Sequence, residues 1–178
     1  MPFGDAPATE PIDSGGQLFQ AHLAKHLAGG VRVNELWKFD GTAWTDLTLP
    51  AGNPPVRNQG AACWDLGRNK LVIFGGHPGT GVLGDTWEYD GLTGAWTQMF
   101  PANTPSPRKW AAMAYDFFNG KVVLYGGYDA SNVFQGDMWQ WDGADWTQLA
   151  PATSPGPLAR HRMASNVFDL ELLLFGGP

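Results

Sequence analysis

One cysteine, Cys63, is all that this 178-residue sequence carries, which excludes an internal disulfide and any multi-cysteine metal site. Charge is also scarce. Charged residues make up 16% of the chain, 11 basic against 17 acidic, and no basic run occurs. A partner held through its phosphate backbone needs clustered positive charge, so no nucleic acid is expected. No apolar run approaches the ~18 residues that cross a bilayer, and no membrane association is expected. The first residues lack a basic region followed by an apolar segment, so no secretory signal is expected. Asn-x-Ser/Thr acceptors are missing, as are the G-x-S-x-G and P-loop signatures. Nothing in the sequence assigns a compartment.

What the sequence does have is 24 Gly, 14 Pro and 9 Trp. Glycine and proline punctuate turns, and Trp favours strands on half-buried surfaces. An all-β fold of many short strands follows. The order within it is a repeat. Gly-Gly closes the apolar runs LVIFGG (71–76), VVLYGG (122–127) and LLLFGG (172–177), whose first glycines are 51 and 50 residues apart. Trp37, Trp87 and Trp139 lie 50 and 52 apart, and a second tryptophan follows each: Trp44, Trp96 and Trp146. Arg57, Arg108 and Arg160 lie 51 and 52 apart, each after a Pro-rich stretch.

Each period resolves into four predicted strands. The first is rich in small residues: GAACWD (60–65), AAMAYD (111–116) and MASNVFD (163–169). The second is the apolar run before Gly-Gly, whose continuity suggests burial on both faces. The third carries the first Trp and ends at Asp40-Gly41, Asp90-Gly91 or Asp142-Gly143, hairpin turns in which Gly supplies positive φ. The fourth holds the second Trp in AWTDL, AWTQM and DWTQL. In the third period only 7 residues separate Asp169 from Gly176, against 10 in Asp65–Gly75 and Asp116–Gly126, which predicts a tighter first hairpin there. Residues 1–30 stand apart. Residues 1–13 read as a Pro-rich tail. Ser14 and Gln17 have capping-box spacing before QLFQAHLAKHLA (17–28), with Phe19, Leu23 and Leu27 on one face, so a short N-terminal helix is expected. The rival reading is a degenerate hairpin of an earlier repeat.

The double glycine, the aromatic about a dozen residues on, and the second Trp of the last strand resemble the kelch family over residues 31–178. The resemblance implies a β-propeller in which one repeat builds one four-stranded blade around a channel. It also implies a non-catalytic scaffold that binds a peptide or protein at the channel mouth. Kelch adaptors use mouth arginines for acidic motifs, which makes Arg57, Arg108 and Arg160 the expected ligand-binding residues, with Trp110 and His161 beside them. Guanidinium forks match carboxylates; the competing expectation is that these arginines tie blades together. The alternatives are a carbohydrate-binding or carbohydrate-converting propeller resembling the sialic-acid mutarotases, and an excised propeller fragment without a dedicated ligand. The copper set of the radical oxidases cannot be assembled: Cys63 occupies an Ala/Met core position. No cofactor, metal or catalytic set is expected. Asp40, Asp90 and Asp142 read as turn residues, and Trp37, Trp87 and Trp139 as blade packing. His22 and His26 have i,i+4 spacing but lack a Glu between them and a third ligand.

Counted from residue 31, the strands make two complete blades flanked by half-blades, about three blade equivalents. Pairing the third strand (33–39) with the LLLFGG strand (172–177) of another copy would give a six-bladed head-to-tail homodimer with no open edge.

Overall fold

The computed structural model describes residues 34–177 and the backbone of residues 18–20, and every regular element among them is a strand. The chain opens with β1 (Leu18–Gln20), β2 (Trp37–Phe39) and β3 (Trp44–Asp46), which form one sheet in that order. The first complete blade is β4 (Ala61–Asp65), β5 (Lys70–Gly76), β6 (Leu83–Asp90) and β7 (Trp96–Met99). The second is β8 (Ala112–Asp116), β9 (Lys121–Tyr125), β10 (Met138–Trp141) and β11 (Trp146–Leu149). A two-stranded sheet of β12 (Arg162–Asn166) and β13 (Glu171–Phe175) ends it. Every pairing is antiparallel, and the register repeats: Ile73 opposes Trp87 in the first blade and Leu124 opposes Trp139 in the second. This is the predicted kelch propeller architecture.

The apolar second strands are buried on both faces because each blade is sandwiched. Side chains alternate along a strand, so Val72 and Phe74 join Val122, Leu124, Trp141 and Trp146 between the two complete blades. Leu71 and Ile73 point the other way and pack with Leu36 and Tyr89. Each such burial contributes roughly 1.5–3 kcal/mol. The joint is also specific. Trp146 Nε1 donates to Thr86 Oγ1 at 2.9 Å and Trp141 Nε1 to Glu88 Oε1 at 2.7 Å. The buried Glu88 carboxylate in turn holds Arg68 at 2.6 Å. One aromatic pair recurs at the end of each third strand: Phe39–Trp44, Tyr89–Trp96 and Trp141–Trp146, with centroids 5.0, 5.3 and 5.3 Å apart.

Three expectations need correction. Residues 18–20 form β1, paired with β2, and not a helix; the edge of β2 offers N–H and C=O groups that a strand can satisfy and a helix cannot. The remainder of 17–28, His22 and His26 included, lies outside the described residues. Second, the third repeat does not have a tighter hairpin. Asn166 opposes Glu171 as Asp65 opposes Lys70 and Asp116 opposes Lys121. Asn166, not Asp169, is the equivalent residue; its Oδ1 accepts from Phe168 N as Asp116 Oδ1 accepts from Phe118 N. Third, Gly41 and Gly143 take positive φ (102° and 101°), but in the middle repeat Gly94 does so at 73° in place of Gly91. A Cβ on Gly91 would press into the Trp64 ring.

The Asp-Gly aspartates are turn residues. Asp40 Oδ1 accepts from Thr42 N and Ala43 N, and Asp90 and Asp142 repeat the pattern. Backbone donors hold the Asp40 carboxyl down at about 2, and the Lys70 ammonium with backbone donors does the same for Asp90.

Candidate functional site

The loops that lead into β4, β8 and β12 share one conformation. Gln59, Trp110 and Arg160 all take φ near 60° (61°, 60° and 61°), a left-handed setting that non-glycine residues adopt only when the surroundings impose it. Here the imposing contact is visible. Trp110 N donates to Gln59 O at 2.8 Å, and Arg160 N donates to Trp110 O at 3.0 Å. The three residues are thus strung from blade to blade by their own backbones. The residue after the double glycine of each complete blade lies alongside: His77 bridges to Asn58 and Tyr128 to Lys109.

These residues enclose a hollow of about 490 Å³ lined by Gln59, His77, Lys109, Trp110, Tyr128, Asn132, Phe134 and Arg160. It is the meeting point of three successive repeats. The Arg160 guanidinium sits 5.6 Å from the Trp110 ring centroid and 5.5 Å from that of Tyr128, within cation–π range. Tyr128 also packs on Phe134 with centroids 4.5 Å apart. His77 Nδ1 is committed to Gly81 O at 2.5 Å. Among the described residues two cations, Lys109 and Arg160, line the hollow and no carboxylate does, in a chain whose net charge is −6. That arrangement favours an anionic or electron-rich group flanked by apolar surface.

The expected arginine trio does not exist as a trio. Arg57 and Arg108 are fully buried. Arg57 grips Asp85 through both terminal nitrogens at 2.7 Å and also holds Gly75 O and Pro55 O. Arg108 does the same with Asp137, Gly126 O, Ser106 O and Ser106 Oγ, so all five donors are occupied. Burial works against the charge on Asp85 and Asp137, and the arginine forks outweigh it, leaving both carboxyls below 3.8. Trp87 Nε1 and Trp139 Nε1 complete the units by donating to those carboxylates at 2.7 Å. Arg57 and Arg108 are thus tied into the blades by their buried ion pairs, and neither lines the hollow.

Arg160 is different because it is not their equivalent. Leu158 is: Leu158 N bonds Gln135 O as Arg108 N bonds Leu83 O, and Gly127 N bonds Leu158 O as Gly76 N bonds Arg108 O. Arg160 stands two positions later, exposed, and among the described residues its guanidinium donates no hydrogen bond. Trp110 lines the hollow with it. His161 does not, since it is buried against Tyr125 in edge-on contact. Among the described residues neither ring nitrogen of His161 makes a hydrogen bond of normal geometry; burial, with the Arg162 charge acting the same way, outweighs the opposing pull of the Tyr125 backbone and lowers its pKa below 6.5. Gln59, Lys109, Tyr128, Asn132 and Phe134 were not singled out by the sequence. Two signals would have found most of the set: the residue two after the buried arginine, and the residue directly after each double glycine. Among the described residues no group of three or more His, Cys, Asp or Glu side chains is placed to hold a metal ion.

A family model for the KLHDC2/KLHL20/DRC7 Kelch-repeats domain matches residues 26–177. The chain belongs to the kelch-repeat family, whose domains serve in general as protein-interaction scaffolds. It is 32% identical over 117 residues to dynein regulatory complex subunit 7 of Chlamydomonas reinhardtii, covering 62% of this chain and 10% of that protein. It is 25% identical over 139 residues to an F-box/kelch-repeat protein of Arabidopsis thaliana, 64% of this chain and 26% of that protein. Kelch domain-containing protein 10 of Xenopus tropicalis is 35% identical over 74 residues, 40% of this chain and 18% of that protein. The chain thus spans about a tenth to a quarter of the length of these relatives.

Proposed function

We propose that this chain is a non-catalytic recognition module that takes an acidic segment of a partner protein into the hollow at the channel mouth. The observation that carries this reading is the Arg160 guanidinium, exposed, without a hydrogen bond among the described residues, and poised over two aromatic faces. A carboxylate would meet its fork, with the Lys109 ammonium adding charge from the same wall. Trp110, Tyr128 and Phe134 would receive the apolar side chains that flank the acid.

The test is an array of acidic heptapeptides, followed by fluorescence titration of the strongest binder. A charge-assisted hydrogen bond is worth ~1.5–3 kcal/mol, so Arg160→Glu should weaken the complex by roughly 10- to 100-fold. Arg160→Lys should fall between, because an ammonium cannot fork. Equal binding by wild type and Arg160→Glu would defeat the proposal. A glycan-array signal with no peptide signal would favour the carbohydrate reading, for which the same aromatic faces would serve.

A further inference from the structure

The loop between β9 and β10 supplies three of the eight residues that line the hollow: Tyr128, Asn132 and Phe134. Its counterpart in the first blade is built differently. Gln135 holds the place of Leu83, since Leu158 N bonds Gln135 O as Arg108 N bonds Leu83 O. Residues 128–134 (YDASNVF) therefore answer to 77–82 (HPGTGV) and are one residue longer. The shorter loop is closed by a bond between His77 Nδ1 and Gly81 O at 2.5 Å, and of its residues only His77 lines the hollow. In the longer loop residues 130–134 are all exposed, so burial does not fix their shape. One carboxylate does. Asp129 Oδ1 accepts from Ser131 N at 2.8 Å and from Val133 N at 2.9 Å, and Asp129 Oδ2 accepts from Gln135 Nε2 at 3.2 Å. This is the turn that an aspartate side chain makes with its own downstream backbone. The main chain closes it: Asp129 N donates to Val133 O and Asn132 N donates to Asp129 O, both at 3.1 Å. Inside this clasp Asn132 takes φ 58°, and Phe134 is turned back to oppose Tyr128, their rings 4.5 Å apart. In the first blade Pro78 stands where Asp129 stands, and the clasp is missing from that loop.

We infer that Asp129 is the positioning residue of the hollow: its carboxylate holds the 128–135 loop as the wall against which a bound acidic segment lies. The inference rests on the acidic-segment reading above and adds what sets the shape of the site. The clasp extends to the cation as well, because Gln135 O receives Leu158 N, two residues before Arg160. Asp129 does not itself line the hollow, and both of its oxygens are engaged by the loop's own donors. Its negative charge beside the wall opposes an acidic ligand. Removing the side chain therefore has two consequences of opposite sign. Relief of the charge tightens the ligand, and release of the clasp weakens it. A ligand that needs the ordered wall loses affinity in proportion to the time the wall is out of place. If the wall is formed a tenth of the time, Kd rises ~10-fold.

Asp129→Ala and Asp129→Asn separate the two consequences. Asparagine sheds the charge but keeps a side-chain oxygen for the Ser131 and Val133 N–H groups; alanine sheds both. The probe is the strongest acidic heptapeptide from the array, titrated into the full chain by tryptophan fluorescence. Amide hydrogen exchange at Ser131 and Val133 reads the clasp without any ligand. Asp129→Ala is expected to raise Kd by ~10-fold or more and to speed exchange at both amides. The urea midpoint should stay in place, because the loop is exposed. Asp129→Asn should exchange as the wild type does and bind the peptide as well or better. Unchanged or tighter binding by Asp129→Ala, an equal loss in both variants, or unaltered exchange in Asp129→Ala would overturn the inference. If no heptapeptide binds the wild type, the acidic-segment reading fails on its own, and the exchange rates decide whether Asp129 holds the wall.

Discussion

Replacing Arg108 by leucine separates the structural role of the buried arginines from a ligand role. The substitution is sterically fair, because Leu158 occupies the same position in the next repeat. It removes five donated hydrogen bonds and leaves Asp137, whose side chain is 21% exposed, without its counter-charge. Breaking a buried ion pair from one side costs ~3–5 kcal/mol. Water reaches Asp137 and Trp139 Nε1 still donates to it, so Arg108→Leu belongs near ~3 kcal/mol at the low end of that range. Asp137→Leu strands a guanidinium that water barely reaches and belongs near ~5 kcal/mol at the high end. The double replacement should cost less than Asp137→Leu alone, since no uncompensated charge remains. Urea titration followed by tryptophan fluorescence reads all three. In thermal scans the Arg108→Leu loss corresponds to a drop of ~6–12 °C at ~2–4 °C per kcal/mol for a chain of this size. If Arg108→Leu were within ~0.5 kcal/mol of wild type, as ordinary surface changes are, the pairing would have no structural weight and the assignment of this arginine to the scaffold would fail.

Two further outcomes follow from the same geometry. Gly126→Ala should destabilise by ~1–3 kcal/mol or more, because φ is +66° and a Cβ would collide with the Leu158 carbonyl and the His161 ring; Gly52→Ala, at φ +82° with open space around it, should cost only the ~1–2 kcal/mol of the left-handed setting. Acid should destabilise in two stages: His161, buried neutral with its pKa below 6.5, is stable above that pH and loses stability as the pH falls beneath it, and Asp85 and Asp137, with pKa values below 3.8, add a second loss that begins near that value and deepens below it. A pH series of urea midpoints checks both stages, and His161→Gln should erase the first alone.

The blade was legible because its markers are backbone requirements. Gly75 and Gly126 must be glycine where carbonyls of the neighbouring loop press on them, and Asp40, Asp90 and Asp142 must accept the turn's own N–H groups. Such needs recur at a fixed spacing and so show as a period. The site was less legible because its residues share a backbone conformation and not a chemistry: Gln59, Trp110 and Arg160 have nothing in common as side chains. Counting arginines placed Arg160 with Arg57 and Arg108, two residues from its true equivalence. The same habit of matching like residues tied Asp169 to Asp65 when Asn166 supplies the equivalent turn acceptor. Burial was the other blind spot. A guanidinium beside a channel mouth looks available until Asp85 or Asp137, 28 or 29 residues on, is folded against it. The helix expected at 17–28 rested on local spacing, and at 18–20 an unpaired strand edge outweighed it.

The left-handed residue of each loop carries its hydrogen bonds on the main chain alone. The N–H and C=O of Trp110 fix its place between Gln59 and Arg160, and neither bond depends on what the side chain is. The loops therefore offer a row of interchangeable sockets. Glutamine, tryptophan and arginine already fill three of them without altering the thread that joins the blades. A surface of this kind can be re-specified one socket at a time, by natural drift or by a designer, while the Arg–Asp–Trp units behind it keep the frame unchanged.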